Sequence, residues 1–174
     1  LEELADELLA GHADRVGHAV LRRDLPVFEP GRGPDGGVFT GEVAAICGWA
    51  TGLDRSYVPI QGPPGTGKTF TGAHMIRTLV NAGMRVGVTA MSHAAIDNLM
   101  QSVVDRFEAE GESEHLRAVR KAKRGPVRGV QYVDDNPKVA EGDFNVIAGT
   151  TWLFASQAMR DNPVDVLVVD EAGQ

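Results

Sequence analysis

Residues 58–70 read VPIQGPPGTGKTF, and Gly62, Gly67, Lys68 and Thr69 within them meet the spacing G-x-x-x-x-G-K-[ST]. This stretch restricts the fold more tightly than any other in the chain. Such a loop holds a phosphate chain when it leaves a buried strand and opens a helix. Glycines let backbone N–H groups approach phosphate oxygens with no side chain in the way. The start of the following helix adds partial positive charge. Lys68 would bring a full charge to the β- and γ-phosphates, and the Thr69 hydroxyl suits Mg2+. The candidate nucleotide-binding residues are therefore Gly62, Pro63, Pro64, Gly65, Thr66, Gly67, Lys68 and Thr69. The two prolines stiffen the loop.

A second feature completes the expectation. The apolar run VDVLVVD, residues 164–170, leads into Asp170 and Glu171. Ligands bind outside the carboxyl ends of strands in open α/β sheets. Asp170 there would hold Mg2+ through water, and Glu171 would take the proton of an attacking water. ATP and Mg2+ are the expected ligands. No Asn-Lys-x-Asp base-reading motif points to GTP.

The rest of the pattern alternates strand with helix. YVPI (57–60), RVGVTAM (85–91), FNVIAGT (144–150) and VDVLVVD are the expected strands, with GVQYV (129–133) a further short candidate. KTFTGAHMIRTLV (68–80) carries Ala73, Ile76 and Val80 at helical spacing. HAAIDNLMQSVVDRF (93–107) does so with Ile96, Leu99, Met100, Val103 and Phe107. Val- and Ile-rich runs alternating with helices predict a parallel sheet covered on both faces, an α/β fold. Before it, LEELADELLAGHADRVGHAVLRRD reads as helix with Leu1, Leu4 and Leu8 on one face, and TGEVAAICGWATGL as a short helix. The Gly/Pro-rich stretch between them reads as linker.

Charge and composition narrow the class. At 174 residues and 43% hydrophobic, the chain can bury a core. The net charge of −7 argues against a bulk nucleic-acid coat, yet residues 117–128 hold six bases and no acid. That strip either tracks a phosphate backbone or is a solvated face. One cysteine, Cys47, excludes an internal disulfide and fits a core position in a reducing cytoplasm. One cysteine with scattered histidines makes no zinc or iron–sulfur site. No apolar run is long enough for a membrane helix. The first residue, Leu1, and the absence of a leader pattern suggest a segment of a longer protein.

Asp170 lies 102 residues after Lys68, with two expected strands between. That spacing favours a helicase-type motor over an AAA+-type protein-remodelling ATPase, which remains the alternative. From Val58 to Gln174 the chain resembles superfamily 1 helicases of the 5′-to-3′, RecD-like (1B) type. QGPPGTGKT resembles motif I, VTAMSHAAIDNLM motif Ia, VIAGTTWLFA motif Ic and VVDEAGQ motif II. Its wording is most similar to the helicase part of bacterial proteins that fuse a RecB-like nuclease to such a motor.

The resemblance implies a RecA-like domain, with residues 1–37 as helical lead-in and linker and 38–174 as the N-terminal part of the first motor domain. It implies that Lys68, Glu171 and Gln174 act in hydrolysis, Gln174 as the γ-phosphate sensor. Ser92, His93, Thr150 and Thr151 would contact a nucleic-acid strand, single-stranded DNA before RNA. His93 stands where the family usually has Asn. Trp152 is read first as core and second as a base-stacking residue, and His74 as structural. Implied partners are a second RecA-like domain and an upstream nuclease. No Gln precedes Gln61, so the family's adenine-reading Gln has no counterpart. The motif III strand, expected between those of motifs I and II, would leave a gap in the sheet. Poor folding and little hydrolysis are expected of the isolated segment.

Overall fold

A computed structural model describes residues 6, 9–10, 16–63 and 65–172. They fall into two compact units, Leu1–Pro63 and Pro64–Gln174. The helical face of Leu1, Leu4 and Leu8, together with Pro64 and Gln174, lies outside the described residues.

In the first unit helix α1 spans Val16–Arg22 and α2 spans Val43–Thr51. The Gly/Pro-rich stretch between them folds back through an isolated antiparallel bridge, Phe28 to Leu53. Phe39 packs edge-on to Trp49 at 5.2 Å and lies 6.1 Å from Phe28. The Tyr57 hydroxyl donates to the Asp24 carbonyl at 3.0 Å. Cys47 is buried.

The second unit is an α/β layer structure. Its elements are α3 (Lys68–Asn81), β1 (Val86–Ala90), α4 (His93–Ala109), β2 (Ala118–Lys121), β3 (Val130–Val133), α5 (Asn136–Glu141), β4 (Val146–Ala148), α6 (Thr151–Phe154), α7 (Gln157–Asp161) and β5 (Val166–Asp170). The strands form one parallel sheet in the order β3-β2-β4-β1-β5. The parallel α/β sheet is as the strand–helix alternation predicts, and the fold is that of a RecA-like P-loop domain, as the resemblance implies. All five residues of β1 are buried. Side chains alternate across each strand, so Val119 and Ile147 pack with Val139, Leu153 and Met159 of α5–α7. Ile76, Leu79, Ile96, Leu99, Val103 and Phe107 supply the buried stripes of α3 and α4. Gly87 permits the sheet's close contact with α6: a Cβ there would lie 2.7 Å from the Phe154 ring and 2.8 Å from Leu167.

Two expectations are corrected. Residues 57–60, read as the first strand, have no regular secondary structure. Pro59 lacks the N–H that a paired strand needs at its centre. In the second unit β5 is an edge strand, with Leu167 and Val169 44% and 49% exposed. The basic stretch 117–128 is not a uniform surface strip either. Its residues 118–121 are strand β2, enclosed by β3 and β4, and Arg120 is buried. Among the described residues no helix is long and apolar enough to cross a membrane.

Candidate functional site

Parallel pairing aligns the carboxyl ends of the strands. Val88 of β1 is in register with Ala148 of β4, and Ala90 with Asp170 of β5. Three turns thus leave the sheet side by side, beginning at Met91, Gly149 and Glu171.

Helix α3 starts at Lys68, with Gly67 as its N-cap residue at φ 82°. Gly65 also has φ 82°, and a Cβ at either glycine would meet nothing within 4 Å. Left-handed backbone at both positions requires glycine, and the open space around them fits a phosphate chain approaching the main chain. The fourteen residues of α3 align their peptide dipoles behind this loop. Lys68 and Thr69 are half-buried, and Thr66 is exposed. Gly62 and Pro63 end the first unit.

Asp170 closes β5, and its carboxylate accepts the Glu171 N–H at 2.9 Å. Glu171 is exposed and adopts φ 54°, a left-handed conformation costly to a side-chain-bearing residue. Such strain persists where surrounding structure enforces it, often at functional sites.

Ser92 caps α4, its Oγ accepting the Ala95 N–H at 3.0 Å; its own hydroxyl proton stays available to an acceptor. Thr150 precedes α6, and its carbonyl accepts the Leu153 N–H at 2.9 Å. The neighbouring Gly149 N–H donates to the Val88 carbonyl at 3.0 Å, tying this turn to β1. Thr151 is exposed. Trp152, read first as a core residue, is 84% exposed. Its neighbours Leu153 and Phe154 take the inward positions of the short α6 instead.

His93, the first residue of α4, meets a residue that the sequence alone leaves in the basic strip. Arg120 Nη2 lies 2.8 Å from His93 Nδ1, and Arg120 Nε lies 3.1 Å from Asp97 Oδ1. The Arg120 side chain is 2% exposed and that of Asp97 23%. A charge so buried is costly unless paired, and removing one partner of such a pair typically costs about 3–5 kcal/mol. The available signal was the helical spacing of His93 and Asp97, which puts both on one face of α4. The remaining bases of the strip divide: Arg117 pairs with Asp143 and Lys121 with Asp134, whereas Lys123, Arg124 and Arg128 are exposed.

The backs of α3 and α4 are joined by charge. Arg77 binds Glu112 through two hydrogen bonds of 2.6 and 2.8 Å, Asn81 adds a third, and Arg106 pairs with Glu110. The Arg77 and Asn81 hydrogen bonds hold the Glu112 carboxyl down at about 2. Beside them His74 lies 3.2 Å from Arg106, and burial, then Arg106 and Arg77, lower its pKa.

Comparison with known proteins adds the lineage. A family model described as AAA domain matches residues 49–141, more than half of the chain. The chain is similar to the DNA replication ATP-dependent helicase/nuclease JHS1 of Arabidopsis thaliana, 31% identical over 128 residues, which cover 69% of this chain and 9% of that protein. It is also similar to the helicase/nuclease DNA2 of Saccharomyces cerevisiae, 48% identical over 46 residues, 26% of this chain and 3% of that one. Human DNA2 is 42% identical over 48 residues, 28% of this chain and 4% of its own length. The chain spans less than a tenth of each of these relatives. It belongs to the AAA domain family, and its similarity within that family is to the ATP-dependent helicase/nucleases named above.

Proposed function

We propose that the chain is the nucleotide-binding part of an ATP-driven translocase on single-stranded nucleic acid, DNA before RNA. The register of β4, β1 and β5 carries this reading. Neighbouring strands lie about 5 Å apart, so the turn after Asp170 adjoins the Met91–His93 turn, and the Gly149–Thr151 turn adjoins that one in turn. A change in how Asp170 and Glu171 are held is thus passed directly to the residues assigned to the strand.

The assigned roles follow from chemistry. Gly65, Gly67 and the start of α3 receive the phosphates, and Lys68 neutralises charge on the γ-phosphoryl group. Thr69 directly and Asp170 through water would hold Mg2+, which would polarise the phosphates. Glu171 accepts the water proton. Gly62, Pro63, Thr66, Pro64 and Gln174 keep the roles given by their motifs. Ser92, His93, Thr150 and Thr151 offer donors to strand phosphates, and the exposed ring of Trp152 offers a base a stacking surface.

The RecD-like polarity, a second RecA-like domain completing the ATP site and an upstream nuclease belong to the same proposal. The helicase/nuclease names of JHS1 and DNA2 support the last of these. They favour the translocase over the protein-remodelling ATPase.

The test is ATP hydrolysis by the complete natural protein, with and without single-stranded DNA or RNA, beside Lys68→Ala. Stimulation by one polymer, lost in that variant, is expected. Lys68-dependent hydrolysis indifferent to both polymers would transfer the proposal to protein remodelling.

A further inference from the structure

Arg120 is the only buried Lys or Arg among the described residues, and it reaches from mid-sheet to the first turn of α4. We propose that Arg120 is a positioning residue that fixes the ring of His93, so that His93 presents its Nε2–H to a phosphate oxygen of the single strand. This rests on the translocase reading and deepens it.

A guanidinium donates five hydrogen bonds and accepts none. Its 2.8 Å contact with His93 Nδ1 therefore requires the lone pair on Nδ1, and the ring proton is then on Nε2. The guanidinium is itself immobilised. Its Nε donates to Asp97 Oδ1 at 3.1 Å and its Nη1 to the Lys121 carbonyl at 3.1 Å. Asp97 is one helical turn after His93, so α4 supplies both the counter-charge and the ring being held.

The ring is exposed although its Nδ1 is engaged by a buried group. One side of the imidazole is thus tied to the core and the other is open to a ligand. An Asn amide donates an N–H directly, whereas a histidine does so reliably only when its tautomer is set by a neighbour. Ser92 and the α4 amides beside His93 make an anionic oxygen the acceptor that this position suits.

The experiment measures affinity of the complete protein for a labelled single-stranded oligonucleotide. Four variants are compared with the wild type: His93→Asn, His93→Phe, Arg120→Met, and Arg120→Met combined with His93→Asn. His93→Phe, which keeps the ring but not the donor, should weaken binding roughly tenfold, the worth of a hydrogen bond to a charged group. His93→Asn should stay within about twofold, because the amide restores the donor. Arg120→Met should weaken binding in the wild-type background and add nothing in the His93→Asn background. An equal loss in both backgrounds would mean that Arg120 only supports the fold, and would overturn the proposal. Wild-type affinity in His93→Phe would overturn it as well. If Arg120→Met does not fold, the contrast between His93→Asn and His93→Phe decides. Absence of oligonucleotide binding by the wild type would instead sink the translocase reading itself.

Discussion

Arg77 of α3 grips Glu112, just beyond the end of α4, with its Nη2 2.6 Å from Oε1 and its Nε 2.8 Å from Oε2. The paired oxygens and paired N–H groups make a bidentate bridge, the stronger geometry for this ion pair. It fastens the helix that opens with Lys68 to the chain that leaves α4.

This bridge predicts a pH dependence. The Glu112 carboxyl titrates at about 2 in the folded chain against an ordinary 4.5. A depressed carboxylate pKa contributes stability above the unfolded value, and that contribution is lost as pH falls through the folded one. Wild type should therefore exceed Glu112→Gln in stability above pH about 4.5, and the difference should shrink as pH falls towards 2. Denaturant midpoints of both proteins from pH 6 downwards check this; a constant difference counts against the bridge.

Trp152 yields a prediction about binding without one about folding. Its ring is 84% exposed, so Trp152→Ala should change stability by less than about 0.5 kcal/mol. Stacking is worth about 1–3 kcal/mol per base, so affinity for single strands should fall roughly 5- to 100-fold. The slope of affinity against salt should not change, because no phosphate contact is removed. A salt titration of both proteins separates these effects.

The bases between residues 121 and 124 make the opposite prediction. Replacing Lys121, Lys123 and Arg124 together by Glu should weaken strand binding and flatten its salt dependence. Lys121→Glu alone should also place like charges at Asp134, its present partner at 2.5 Å. Unchanged binding in the triple variant would assign Lys123 and Arg124 to a merely solvated surface.

Gly87→Ala tests the packing behind the site. The added methyl would meet Phe154 and Leu167 at under 3 Å. Overpacking of this kind costs about 1–3 kcal/mol. Combining it with Phe154→Leu should recover part of the loss in a urea titration.

Much of this architecture is legible from residue order. Helices α3 and α4 are so because their apolar residues keep a 3.6-residue period; β1, β4 and β5 are so because Val, Ile and Leu crowd together there. The phosphate loop is legible because left-handed backbone at Gly65 and Gly67 admits little else. What escapes has tertiary causes. AVRK does not read as an enclosed strand, since the charge of Arg120 becomes tolerable only once Asp97 stands over it. VPI reads as a strand because two β-branched residues outweigh, on inspection, the donor missing at Pro59. Trp152 reads as core because its neighbours are apolar, and only the turn of α6 decides which of them faces inward.

The Arg120–Asp97 pair also bears on how the chain assembles. A strand bearing an uncompensated cation would resist entering the sheet, and α4 carries the compensating carboxylate. Burial of β2 and docking of α4 must then coincide, so neither is a stable stopping point without the other. In hydrogen exchange, the amides of Ala118–Lys121 and those of the first turns of α4 should open as one cooperative unit. The order in which the domain comes together is thus constrained by an ion pair that the finished structure keeps out of sight.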